Sequence, residues 1–323
     1  MTQQYNFTPQ WLSGFTQADG SFTVTWSKHG GTIPIRPRPT FVLTQTVRDL
    51  SMMQALHAYL GVGDLQINRD SANIVVRSTT ELMNTIIPLF DANPVLGAKL
   101  YSYLIFKKVV MAMANKEHLS LAGTLSLLNL SYFIHSTSLR TEDSLDKLME
   151  IIKNKFGTLP EVAQLEVVPL SIPFTMSIQW LAGLIDGDGS FNFAFKGTRR
   201  RVVANFTIVM GLGDEPALLA VQSFLGCGQI YFLAENASRF QVENINTLVT
   251  KVLPILQTAH FNTVKQTYFG NTVLAWGILA EHGISSDTYL KTIVDLVYDM
   301  NLEGVRRKLT KEQYLNKFIT KTS

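Results

Sequence analysis

Apolar and polar residues alternate strictly along Ser21-Phe22-Thr23-Val24-Thr25-Trp26-Ser27, the pattern of a strand with one face buried. Phe22, Val24 and Trp26 form the apolar face, and the other face is hydroxyl throughout. A second stretch repeats the pattern, with Phe191, Phe193 and Phe195 set against Ser190, Asn192, Ala194 and Lys196. Arg36 to Gln45 and Arg199 to Met210 read as the strands that return from these two. Asp49 to Tyr59 and Asp214 to Phe224 read as helices, each running into a Gly-x-Gly turn. Leu65 to Asn68 pairs with Ile74 to Arg77 in a further hairpin, and Gln229 to Glu243 does likewise. Leu100 to Lys155 and Tyr268 to Phe318 read as helical. Each copy is therefore helix, two strands, helix, two strands, then helices.

The copies correspond in detail. Trp11-Leu12-Ser13-Gly14 through Asp19-Gly20-Ser21-Phe22 is answered by Trp180-Leu181-Ala182-Gly183 through Asp188-Gly189-Ser190-Phe191. Phe41 to Asp49 answers Phe206 to Asp214, Leu60 to Gly63 answers Leu225 to Gly228, Lys99 answers Lys265, and His118 answers His282. The copies differ in length between the aspartate and the second strand, in the loop beside Arg36-Pro37-Arg38 or Arg199 to Arg201. An internal repeat of this kind predicts a pseudo-symmetric molecule, with Asp19 facing Asp188 across a pseudo-dyad. The predicted fold is α+β, a pseudo-two-fold pair of αββαββα domains over 1–155 and 176–323. Phe156 to Thr175, with Pro160, Pro169 and Pro173, is the linker.

The 323 residues suffice for two core-bearing domains, and 46% hydrophobic residues can fill both cores. A net charge of +3 permits an anionic partner, and short basic clusters at Arg36 to Arg38, Arg199 to Arg201 and Arg306 to Lys308 concentrate it. The one cysteine, Cys227, excludes an internal disulfide and a cysteine-based zinc site. The six histidines lack HxxxH or HExxH spacing, and there is neither a GxSxG elbow nor a P-loop. His118 and His282 read as helix-start or packing residues. No apolar run reaches the roughly 20 residues that span a bilayer, so no membrane partner is expected. The opening MTQQYNFTPQ lacks a signal core and the Arg-rich character of a transit peptide.

Chemistry concentrates at the doubled motif. Ser13, Gly14, Ala182 and Gly183 allow two helix backbones to approach closely. Gly20 and Gly189 are expected in the left-handed conformation beyond each helix end. Asp19 and Asp188 then stand at the negative ends of two helix dipoles, which is unfavourable unless cations neutralise them. A hard divalent ion with oxygen ligands meets that need. Paired carboxylates with metal beside polar sheet faces suit phosphodiester hydrolysis. An Asp-Gly turn is the bland reading of either copy, and an aspartic-protease dyad is a weaker alternative on these helices.

Leu181 to Gly189 differs from the LAGLIDADG consensus only by Gly187 for Ala, and Leu12 to Gly20 is a looser copy. The chain resembles a single-chain, two-repeat LAGLIDADG homing endonuclease over nearly its full length. The resemblance implies that the motif helices form the domain interface and that the antiparallel sheets form a DNA-binding saddle. It implies a monomer acting as a pseudo-dimer that cuts double-stranded DNA across the minor groove, one strand per repeat, leaving 3′ overhangs. By the same match Asp19 and Asp188 hold the metal, with the carbonyls of Ala18 and Gly187 as further ligands. The expected metal is Mg2+ or another hard divalent cation such as Mn2+, with Ca2+ expected to bind without supporting cleavage. Gln45 falls where the family orders active-site water, and Lys99 and Lys265 where it stabilises transition-state charge. Met210 replaces Gln45 in the second copy, and Gln17 stands where that copy has Asp186, which predicts an asymmetric active site.

The resemblance makes the polar sheet positions candidates for DNA contact. In the first copy these are Ser21, Thr23, Thr25, Lys28, Arg36, Arg38, Thr40, Gln66, Asn68, Arg69 and Arg77. In the second they are Asn192, Lys196, Arg199, Arg201, Asn205, Thr207, Tyr231, Arg239 and Gln241. A set this large implies a long target, and because the halves differ the target is expected to be only partly palindromic. An RNA maturase acting on its host intron RNA is the alternative within the family, and a silent DNA-binding regulator the alternative outside catalysis. Family habit places the protein in the mitochondrion, encoded by the organelle.

Overall fold

The computed structural model describes residues 4–132, 134, 142–162, 165, 173–196, 201–234, 236–283, 287–303 and 309–319. The chain divides into two compact units, Asp19–Thr175 and the combination of Met1–Ala18 with Met176–Ser323. We call them the first-repeat and second-repeat units.

Helix α1 (Pro9–Asp19) leads into the first-repeat unit. There β1 (Gly20–Lys28) and β2 (Ile35–Thr46) pair antiparallel in the register Ser21↔Val42 and Thr25↔Arg38. After α2 (Leu50–Leu60), β3 (Asp64–Asn68) and β4 (Ser71–Val76) complete a sheet of order β1-β2-β4-β3. β4 begins at Ser71, earlier than the alternation suggested, so Arg69-Asp70 alone turn the second hairpin and Arg77 falls just beyond the strand. The chain continues through α3 (Thr79–Glu81), a π-helical turn at Leu82–Ile86, α4 (Ile87–Ala92) and α5 (Gly97–Ala114). Pro88, near the start of α4, has no N–H to give the preceding turn, and the π-turn accommodates that missing bond. α6 (Leu121–Ser131) and α7 (Glu142–Phe156) follow. The helices cover one face of the sheet. Phe22 is fully buried there at 5.2 Å from Phe41, 5.0 Å from Phe90 and 5.1 Å from Tyr103, ring centre to ring centre. Ile35 anchors a smaller cluster with Leu125, Leu128, Tyr132 and Ile152.

The second-repeat unit reproduces the plan. α8 (Ile178–Asp188) precedes β5 (Gly189–Lys196), β6 (Arg201–Gly211), α9 (Glu215–Leu225), β7 (Gln229–Leu233) and β8 (Ala237–Val242), with sheet order β5-β6-β8-β7. α10 (Ile245–Thr247), another π-turn at Leu248–Val252, and α11 (Leu253–Leu256) with Pro254 repeat the earlier device. α12 (Lys265–His282), α13 (Asp287–Val297), α14 (Met300–Glu303) and α15 (Lys311–Ile319) follow. Phe191 takes the place of Phe22, 5.4 Å from Phe206 and 6.1 Å from Trp276. The length difference between copies lies in the first hairpin. Its strands close at Lys28↔Ile35 in the first copy and, with a shorter loop, at Lys196↔Arg201 in the second.

Gly189 corrects one expectation. It is extended, at φ −71° and ψ 146°, and opens β5 directly; Gly20, which opens β1, is likewise not at positive φ. Glycine is required at 189 because a Cβ there would lie 2.7 Å from Ile185 Cα. The left-handed helix ends are elsewhere, at Gly61 after α2 and Gly226 after α9.

Candidate active site

The two motif helices begin alike. The Thr8 hydroxyl accepts from Trp11 N at 3.0 Å, and the Ser177 hydroxyl accepts from Trp180 N at 3.1 Å. Inside the second-repeat unit α1, up to Ala18, lies against α8 at backbone contact. A Cβ on Gly14 would sit 1.8 Å from Trp180 O, and one on Gly183 2.0 Å from Trp11 O. Trp180 Nε1 donates to Ser13 Oγ at 3.1 Å, and Trp11 Nε1 donates to Asp186 Oδ2 at 2.8 Å. Asp186 is fully enclosed and also accepts from Asn262 N at 2.8 Å, Thr263 N at 3.1 Å and the Thr263 hydroxyl. Burial pushes its carboxyl above the usual carboxylate range, and these hydrogen bonds only partly offset that. Gln17, its counterpart in α1, is equally buried and donates to Asp214 Oδ1 at 3.2 Å. The Gln17/Asp186 departure therefore changes what each side chain binds inside the second-repeat unit: Asp214 for Gln17, and Trp11, Asn262 and Thr263 for Asp186.

Asp19 and Asp188 are the last residues of α1 and α8, both half-buried. In the first-repeat unit Gln45 Nε2 donates to Asp19 Oδ2 at 3.0 Å, and Gln45 Oε1 accepts from Thr46 N at 2.8 Å. Gln45 can reach the acid because it shares the side of β2 occupied by Phe41 and Leu43, where α1 ends. Lys99, in the first turn of α5, donates to the carbonyl of Gly20. In the second-repeat unit Lys265 opens α12, two residues after Thr263, and its Nζ donates to Ile185 O and Gly187 O, each at 2.7 Å. It thus places a cation on the carbonyls at the end of α8, Ile185 O also accepting the Gly189 N–H, the electrostatic partner such an end requires. Gly187 O is engaged by that ammonium and keeps a second lone pair. Met210 occupies the register of Gln45, is buried opposite Ser238, and offers no hydrogen bond of comparable strength.

Each sheet leaves a polar face open. In the first, Ser21, Thr23 and Thr25 alternate outward from Phe22 and Val24, and Arg36, Arg38 and Thr40 do so from Ile35, Pro37 and Pro39. Arg38 Nε donates to Ser27 Oγ at 2.7 Å, which aims its guanidinium along the face. Gln66 and Asn68 share this face through the pairs Gln66↔Asn73 and Asn68↔Ser71; Arg69 and Arg77 stand exposed at the sheet margins. Lys28 is a correction: paired with Ile35, it belongs to the register of the covered side and is exposed only because β1 ends there. In the second sheet Asn192, Asn205, Thr207, Arg239, Gln241 and Tyr231 share the open face. Asn192 Nδ2 donates to Thr207 Oγ1 at 3.0 Å, and the Arg239 guanidinium lies 6.0 Å from the centre of the Tyr231 ring. Asn205 Oδ1 and Arg239 Nε are buried without a hydrogen-bond partner. Lys196 and Arg201 pair on the same register, and Arg199 with Arg200 and Arg306 to Lys308 lie outside the described residues.

Some residues of these faces escaped sequence reasoning. Asn73 and Ser71 project with Gln66, and Thr44 Oγ1 donates to Asn73 Oδ1 at 2.8 Å. Their signal was the alternation of Ser71 and Asn73 with Ala72 and Ile74, hidden by starting the strand too late. Asp186, Asn262 and Thr263 form a buried hub that no local pattern announces. His282 ends α12 and stacks on Tyr289 with ring centres 3.9 Å apart, while His118 is buried on the short turn Glu117–Leu119. No helix among the described residues is long and apolar enough to cross a membrane.

Known proteins resemble this chain in sequence and in fold. A probable intron-encoded DNA endonuclease 1 of Mycosarcoma maydis is 48% identical over 83% of this chain and 98% of its own length. A probable intron-encoded endonuclease 2 of Neurospora crassa is 25% identical, over 76% of this chain and 54% of its own. Among solved structures, I-SmaMI bound to an uncleaved DNA target in the presence of calcium superposes with a TM-score of 0.81 at 22% identity, covering 92% of this chain and 99% of that one. I-CpaMI bound to uncleaved DNA gives 0.75 at 25% identity, covering 92% and 100%. The sequence profile of the LAGLIDADG endonucleases matches residues 12–110 and again 181–273. The chain belongs to the LAGLIDADG endonuclease family and carries the family's domain twice in one polypeptide.

Proposed function

We propose that this protein is an intron-encoded, site-specific double-strand DNA endonuclease, made and used in the mitochondrion. It hydrolyses one phosphodiester per strand across the minor groove of a long, partly palindromic target and leaves 3′ overhangs. It acts as a monomer on DNA. The observation that carries the reading is the repeated unit itself: a helix ending on an aspartate, a lysine on the adjoining carbonyls, and a sheet whose open face is polar and cationic. The 48% identity to an intron-encoded DNA endonuclease along nearly that protein's whole length supports the same activity here.

The donor set suits a hard divalent ion. Among the described residues no three His, Cys, Asp or Glu side chains gather into a metal cage. Mg2+ is compatible with such a site, since it retains waters and binds through one or two carboxylates together with substrate phosphate. Asp19 in one repeat and Asp188 in the other would each offer it a carboxylate, with the Ala18 and Gly187 carbonyls as further oxygen donors. When bound, such an ion supplies Lewis-acid polarisation of the phosphate and a more acidic water. The protein's own groups do the rest. Gln45 fixes one carboxylate oxygen of Asp19 and orders water beside it. Lys99 and Lys265 hold positive charge where the phosphorane and the leaving 3′ oxygen become negative.

In vitro cleavage of a randomised duplex library with and without Mg2+, sequencing the ends, tests this. One long, partly palindromic site cut with 3′ overhangs only when Mg2+ is present is the expected result. Binding without cutting of any duplex would shift the assignment to an RNA-directed or silent role.

A further inference from the structure

A pocket of about 210 Å³ opens at the hairpin end of the first-repeat sheet. His29 and Thr32 of the β1–β2 loop, Arg36 of the open sheet face and His118 line it together with Ile33 and Ile35. His118 is only 6% exposed, yet neither ring nitrogen has a hydrogen-bond partner. A histidine buried for packing normally satisfies at least one nitrogen, because a bare buried donor or acceptor forfeits its hydration. The backbone around it is fixed: the Thr124 hydroxyl donates to His118 O at 2.9 Å, and Lys155 Nζ donates to Gly31 O at 2.8 Å across the pocket's loop. The charges nearby are predominantly positive. Arg36 lines the pocket and Lys155 anchors its loop, while the carboxylate of Glu117 stays exposed on the neighbouring turn and accepts from Asn115 Nδ2. An imidazole pair, a guanidinium and a hydroxyl around a small cavity match the acceptor oxygens of a phosphate.

We propose that this pocket is a phosphate subsite that takes a backbone phosphate of bound nucleic acid at the hairpin end of the first-repeat sheet. The source of the phosphate rests on the DNA-binding reading above; the anion chemistry does not. Burial and the Arg36 charge hold the His118 imidazole below its ordinary range. A phosphate would supply the missing acceptor and reverse that shift, so affinity through this pocket rises as pH falls. His118 sets this dependence, with the Arg36 charge opposing its protonation; Lys155, on the Gly31 carbonyl, and the exposed Glu117 are the other charges beside the pocket.

The test is histidine-15N NMR on the full chain, with His118→Gln assigning the signal and circular dichroism confirming that variant's fold. His118→Asn serves if the first variant does not fold. Inorganic phosphate and a random-sequence duplex are titrated separately, with duplex binding followed in parallel by fluorescence anisotropy. The expected result is that both ligands move the His118 ring signals toward the protonated form and raise its midpoint by about one pH unit, and that the duplex displaces inorganic phosphate. His118→Gln should then weaken duplex binding about threefold to tenfold at pH 6, less at pH 8, and lower the salt slope by about one phosphate's worth. Four outcomes would overturn the proposal. If the duplex binds and His118 stays still, the subsite is refuted while DNA binding stands. If inorganic phosphate alone moves His118, the pocket serves a free anion. If neither ligand moves it, His118 is a packing residue. If the duplex does not bind at all, the DNA-binding reading fails as well, and the phosphate arm still decides whether the pocket takes anions.

Discussion

Gln45 and Met210 occupy equivalent positions with opposite chemistry. Gln45 gives Asp19 a hydrogen bond at 3.0 Å, whereas Met210 is buried and brings only a thioether. A hydrogen bond to a charged acceptor contributes about 1.5–3 kcal/mol, so Gln45→Met should slow cutting of one strand roughly tenfold to hundredfold and spare the other. Strand-resolved kinetics on an end-labelled duplex checks this; equal slowing of both strands would contradict it. This asymmetry was legible in the sequence, because the constant spacing between copies aligns residues 45 and 210 directly. The role of Asp186 was not. Its partners, Trp11, Asn262 and Thr263, are remote in the chain, and only the folded backbone brings their donors onto one carboxylate.

At the scale of elements, the joint of α1 on α8 depends on absent side chains. Gly14→Ala or Gly183→Ala drives a methyl into a carbonyl of the facing helix. Overpacking of this kind costs about 3 kcal/mol or more, and Tm should fall by roughly 10 °C; a variant melting like the parent would show that the helices do not meet as described. Asp186 makes a second test. Its carboxyl is raised above its ordinary value of 3.8, so its contribution to stability is fully present below that value and is lost as pH rises through the raised one. Asp186→Asn replaces an acceptor of converging N–H groups by a donor and should cost ~3 kcal/mol. The parent's margin over this variant should be widest in acid and narrow with rising pH in thermal melts; a margin growing toward alkaline pH would contradict the account. Helix packing was readable from Ser13, Gly14, Ala182 and Gly183. The glycine after each aspartate was misread, because Asp-Gly suggests a turn in isolation, whereas close approach of Ile185 requires glycine at 189 in an extended chain. β4 was read short for a similar reason: Ser71-Ala72-Asn73 is polar enough to resemble a loop until β2 and β3 pair with it from both sides.

For the whole molecule, a net charge of only +3 means that affinity for a polyanion comes from where the cations stand. Arg36 and Arg38 on one open face and Arg239 on the other each predict a phosphate or base-edge contact. Replacing Arg36 and Arg38 together by Gln should flatten the slope of log K against log salt by about 0.9 per lost phosphate contact, measured by anisotropy with the target duplex; an unchanged slope would place these residues away from DNA. The two-unit plan was legible because the motif, the Phe22/Phe191 strand and the Gly-x-Gly turns recur in order. The assignment of α1 to the second-repeat unit was not, since Asn6 and Trp11 bind Asn262 and Asp186 across most of the chain's length. The most direct measurement of the central claim is Mg2+-dependent cleavage of the recovered target by the parent, Asp19→Asn and Asp188→Asn, with affinity measured alongside. Each variant should bind within about threefold of the parent and fail to make the double-strand break. Parent-like cutting by either variant would contradict it.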